Sequence, residues 1–146
     1  MTTLTLRGEL GRRVLITVHG YERDVGSDPY DLNWLQCTLD VAQGAFRGTV
    51  DASLTTSDFL RFLTELEQIK SRSSTVASFT TMEDALAFRV DVHHTGRATV
   101  TGTLREHGEL AAQLSFAFES DHASLTAAHS DVRRIVAAFP ERTPGE

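Results

Sequence analysis

The stretch "WLQCTLDVAQGAFRGTVDASLTTSDFLRFLTELEQIK", residues 34–70, decides the fold. Leu35, Cys37, Leu39 and Val41 alternate with polar neighbours, so they share one face of a strand. "AQG" at 42–44 turns the chain. Alternation resumes at Phe46, Gly48, Val50, Ala52 and Leu54, and two such runs across a short Gly-containing loop read as a hairpin. The period then lengthens. Phe59, Phe62, Leu63, Leu66 and Ile69 form one helical stripe. Thr56 or Ser57 is the expected cap, with Asp58 in the first turn and Lys70 and Arg72 near the end.

The same reading extends both ways. Leu4 and Leu6, then Val14, Ile16 and Val18 after a turn at Gly8–Gly11, mark two earlier strands. After the helix, "STVASF" is a short strand, and Leu86, Phe88, Val90 and Val92 mark another. "HHTG" at 93–96 turns into Ala98, Val100 and Leu104, and "EHGE" at 106–109 turns into Leu110, Ala112, Leu114, Phe116 and Phe118. Leu125, Ala128, Val132, Ile135, Val136 and Phe139 make a second helix, ended by Pro140. The order is ββββαββββα. Hairpin-length loops imply antiparallel pairing, giving an α+β fold: a twisted antiparallel sheet of about eight strands with two helices on its apolar face. The expected core contains Leu35, Leu39, Phe46, Val50, Phe59, Phe62, Leu66, Phe88, Val100, Leu114, Phe116, Phe118, Val132 and Ile135. The ββββα pattern occurs twice without a residue-level repeat.

With 146 residues, 40% hydrophobic and 23% charged, the chain suits one globular domain, expected over residues 1–139. Residues 140–146, "PERTPGE", are expected to form a flexible tail. No basic-then-apolar leader opens the chain, no apolar run reaches bilayer length, and one cysteine makes no internal disulfide. A cytoplasmic location is expected. The net charge of −6 argues against direct binding of nucleic acid and suits a partner with a basic surface.

No catalytic set emerges. Cys37 faces the core, where a thiol behaves as a small hydrophobe. His93 and His94 lie in a turn, and His122 and His129 are about two helical turns apart, too far for a two-ligand helical motif. H-E-x-x-H, C-x-x-C, G-x-G-x-x-G, the P-loop pattern and G-x-S-x-G are absent. No catalytic residue, metal ligand or cofactor is therefore expected, nor a membrane partner.

One corner stands out. Trp34, the only tryptophan, falls on the polar side of its strand beside "DPYD", residues 28–31. It either folds over a sheet edge, with Asp31 capping the turn and Asn33 tying backbone, or grips a partner. The candidate partner-binding residues are Asp24, Asp28, Tyr30, Trp34, Glu83, Asp84, Glu106 and Glu109, all in or beside turns.

"GYERDVGSDPYDLNWLQCTLDV", "SDFLRFLTELEQI", "GELAAQLSFAFESDHASL" and "DVRRIVAAFP", in this order, resemble the WapI family of bacterial immunity proteins and neighbouring families of uncharacterised domains. Asp31, Asn33, Trp34 and Leu35 are the most specific part of the likeness; "SFTTMEDALAFRV" follows the pattern only loosely. The resemblance implies a non-catalytic cytoplasmic inhibitor. The family's named member binds the toxic C-terminal domain of a wall-associated contact-dependent toxin, a nuclease acting on transfer RNA. It therefore implies a protein toxin domain as partner, with a basic nuclease the expected target. The alternatives are a structural or regulatory domain that self-associates as a homodimer, and a small-ligand carrier or enzyme with a pocket between sheet and helices.

Overall fold

The structure is a computed structural model, and it describes residues 2–24 and 31–143. Strands β1 (Thr2–Arg7), β2 (Arg13–Tyr21), β3 (Trp34–Gln43) and β4 (Phe46–Thr55) precede helix α1 (Thr56–Lys70). Strands β5 (Val76–Thr80), β6 (Leu86–Val92), β7 (Ala98–Arg105) and β8 (Gln113–Ser120) precede helix α2 (His122–Ala138). This is the expected α+β order. The strands divide into two four-stranded antiparallel meanders, β1-β2-β3-β4 and β5-β6-β7-β8. A 3-10 turn at Glu9–Gly11 joins β1 to β2.

Each helix lies along the first strand of the other half: α1 along β5, and α2 along β1. This covers one edge strand of each sheet. The backbone N–H of Ser78 in β5 donates to Glu65 of α1 at 3.3 Å. That of Thr5 in β1 donates to Asp131 of α2 at 3.1 Å, and that of Arg7 to Ser124 at 3.0 Å. Glu65 stands as far beyond its N-cap, Thr55, as Asp131 stands beyond Asp121. The halves are thus equivalent in construction although their residues do not repeat.

The apolar faces merge into one core, which runs from Leu4, Ile16 and Leu39 through Phe59 and Phe62 to Phe88, Val100 and Ile135. Phe79 and Phe88 stack at 5.3 Å between ring centroids, and Phe62 meets both edge-on. β3 and β4 approach β7 and β8. Gly48 allows this close approach, since a Cβ there would stand 3.0 Å from Leu104. The Gln43 amide closes the junction by donating to the Ala117 carbonyl at 2.8 Å.

Four expected details differ. Phe46, assigned to the core, is 70% exposed, because it opens β4 at the turn, beyond the reach of the second sheet. Val50 and Leu114 are only partly buried. Leu110 and Ala112 precede β8 rather than lying in it, and Leu110 is fully exposed. The cap of α1 is Thr55, one residue before the expected pair. Its hydroxyl accepts from Asp58 N–H at 3.3 Å, and Asp58 accepts from Thr55 N–H at 2.9 Å.

Candidate partner-binding surface

β3 and β4 turn their core residues inward, so their other residues make an outer face. The register places Trp34 beside Thr55, Gln36 beside Ser53, and Thr38 beside Asp51. Trp34 is half-buried at the start of this face. Glu22, just after β2, donates its backbone N–H to the Trp34 carbonyl at 3.0 Å, and its carboxylate accepts from the Ser53 hydroxyl. The Thr38 hydroxyl donates to Asp51 at 3.1 Å and so accepts from His19 Nε2, which lies 2.7 Å away.

A second acidic corner adjoins it. The β5–β6 loop carries Glu83 and Asp84; the β7–β8 loop carries Glu106 and Glu109. The Arg105 N–H donates to the Ala85 carbonyl at 2.8 Å, which sets the two loops side by side. His107, from the second loop, places Nε2 3.2 Å from the Asp51 carbonyl on β4. The loops therefore reach the acidic face of the first sheet. They also expose Met82 and Leu110, at 73% and 100%.

Of the residues singled out by sequence, the structure brings Glu83, Asp84, Glu106 and Glu109 to one end of the second sheet. It places Trp34 on the outer face of the first, and Asp24 beyond the end of β2. Asp28 and Tyr30 lie outside the described residues. Glu22, Asp51, Met82 and Leu110 join this surface without having been singled out for it. Cross-strand register identifies the first two. A bulky apolar residue within a polar turn was the available signal for the others.

The pairing of charges distinguishes this surface. Elsewhere most carboxylates are matched, among them Asp40 by Arg47 at 2.8 Å, Asp91 by Arg89 at 2.7 Å, and Glu9 and Glu119 by Arg97 at 2.8 and 3.2 Å. Arg89 holds the Asp91 carboxyl below its usual range. Glu22, Asp24, Asp51, Glu83, Asp84, Glu106 and Glu109 are all exposed, and none has a basic side chain within ion-pair distance among the described residues.

The aromatic corner has an internal role as well. Asn33 bonds the backbone of Arg142, Arg142 reaches the carbonyls of Leu32 and Arg23, and its guanidinium lies 3.6 Å from the Tyr21 ring centroid. Asp31 stands 3.6 Å from Arg23. Cys37 is buried, and burial pushes its thiol up to about 12. Among the described residues no three His, Cys, Asp or Glu side chains are grouped to hold a metal ion. No helix among them is long and apolar enough to cross a membrane.

Residues 5–140 match the immunity protein WapI-like family, and the chain belongs to that family. No curated protein and no solved structure matches the chain.

Proposed function

We propose that the protein neutralises a toxin domain by binding it, and that the acidic surface formed by Trp34, Glu22, Asp51 and the β5–β6 and β7–β8 loops is the contact. The observation that carries this reading is the cluster of seven exposed carboxylates without basic partners among the described residues, in a protein that pairs most of its acids elsewhere. Unpaired like charge on a surface gives up folding stability, and complementary charge on a partner recovers it as faster encounter and orientation. Trp34, Met82 and Leu110 supply apolar anchors of the kind interfaces bury.

A basic partner fits best, and a nuclease domain is basic wherever it holds phosphate. The reading is of a non-catalytic protein, acting in the cytoplasm, where Cys37 stays reduced. The test is direct: mix the purified protein with the toxin domain encoded beside it and measure complex formation and residual nuclease activity. A stable complex with activity lost in proportion to bound inhibitor is the expected result. A neighbouring domain left unbound and fully active would contradict the reading and favour self-association of the chain.

A further inference from the structure

A groove of about 750 Å³ lies where the end of α1, the β6–β7 turn and the start of α2 converge. Its floor is aliphatic: Leu66, Ile69, Val92 and Leu125. Its walls are cationic or able to become so: Lys70, Arg72, His93, His94, His122 and His129. Four of the six histidines and the only lysine of an acidic chain thus face one cavity, with no carboxylate in its lining. This placement was not legible from His93–His94 and His122–His129 taken separately.

The polar groups there are poorly satisfied. Neither Lys70 nor Arg72 has a carboxylate within ion-pair distance among the described residues. The His129 Nε2 is buried without a hydrogen-bond partner, with Glu67 of α1 at 3.8 Å as its nearest acid. A buried nitrogen left unbonded is costly, and a ligand oxygen would satisfy it. At the other wall His93 is anchored by the Thr99 hydroxyl, 2.7 Å from its Nε2, and its nearest acid, Asp91, is already held by Arg89.

We propose that this groove binds a small amphiphilic anion, an aliphatic body carrying one carboxylate or phosphate group. The size falls in the range of about 300–1,000 Å³ that holds small ligands. The floor offers aliphatic contact but no Phe, Tyr or Trp on which a base could stack, which disfavours a nucleotide. Lys70 and Arg72 disfavour an amine, and among the described residues no three of the groove's histidines are grouped to hold a metal ion.

The six imidazole resonances provide the readout, because His19 and His107 lie outside the groove and serve as internal controls. Octanoate, octyl phosphate and octylammonium are each titrated into the protein at one fixed pH. Saturable shifts at His93, His94, His122 and His129, with His19 and His107 still, are expected from one or both anions and not from the amine. The tighter anion identifies the head group. Affinity should fall about tenfold in Lys70→Glu/Arg72→Glu, two exposed positions, with an unchanged circular dichroism spectrum confirming that the variant is folded. His122→Ala, also exposed, gives an independent check. No saturable shift from either anion, equal response to octylammonium, or unchanged affinity in the charge-reversed protein would each overturn the proposal.

Discussion

Asn33 and Arg142 hold each other by a reciprocal pair of hydrogen bonds: the Arg142 N–H donates to Asn33 Oδ1 at 2.7 Å, and Asn33 Nδ2 donates to the Arg142 carbonyl at 3.2 Å. The backbone carbonyl of Asn33 accepts the N–H of Thr56, at the entry to α1. Asn33 therefore ties the start of β3 to α1 through its backbone and to Arg142 through its side chain. Asn33→Ala should cost about 1–3 kcal/mol, because it leaves partly buried backbone groups unbonded. Deleting residues 140–146 should cost a similar amount, and the two changes should be strongly non-additive. Urea denaturation of the four proteins measures this. A chain end that contributed nothing would leave the truncated protein unchanged.

The two helix-borne acids at the strand edges give a second expectation. Asp131→Ala frees the Thr5 N–H, and Glu65→Ala frees the Ser78 N–H. Each should cost about 1 kcal/mol, with the effects additive, since the two edges belong to different sheets. Hydrogen exchange should accelerate at Thr5 in one variant and at Ser78 in the other. Acceleration at both sites in either variant would mean that the edges are not covered independently.

Gly102 should not tolerate a side chain. An added Cβ would stand 2.6 Å from Phe88 Cβ and 2.7 Å from Phe116 Cζ, as well as against the Ala87 carbonyl. Gly102→Ala should destabilise by roughly 1–3 kcal/mol through overpacking. Phe116→Ala, which empties the same region, should cost roughly 3–5 kcal/mol. Denaturation midpoints rank the two.

Cys37 makes stability depend on alkaline pH. Burial raises its thiol from 9.0 to about 12, so the folded chain keeps a proton that the unfolded chain releases. Its contribution is therefore complete below 9.0 and is lost as pH rises toward about 12. Cys37→Ala should flatten that part of the stability–pH curve. A thiol reagent should label the native protein only at the rate of unfolding.

The strands and helices were legible because burial follows local period: β3 alternates without exception from Leu35 to Val41, and α1 keeps its stripe from Phe59 to Ile69. Where the partner surface is distant in sequence, the local period misleads. Phe46 obeys the alternation of β4, yet the second sheet does not extend over it, and Leu110 continues the rhythm of β8 across a loop. The acidic surface was legible in its loops, since Glu83, Asp84, Glu106 and Glu109 sit in turns. Its extension to Glu22 and Asp51 depended on cross-strand register and on His107 reaching β4. The crossing of each helix onto the other half's first strand, and the Asn33–Arg142 clamp, join residues too far apart for any local pattern to record.

The central claim is that the unpaired acidic surface is where the toxin domain docks. The most direct measurement is the association rate of that domain with the wild type, with Glu22→Lys/Asp51→Lys and with Glu106→Lys/Glu109→Lys, each at low and high ionic strength. Fast, salt-sensitive association is expected for the wild type, and slower, less salt-dependent association for both variants. Thermal stability of each variant is measured beside it, because Glu22, Asp51 and Glu106 also accept hydrogen bonds from Ser53, Thr38 and Ala112. Tight wild-type binding that ignores salt, or charge-reversed proteins that associate at the wild-type rate, would contradict it.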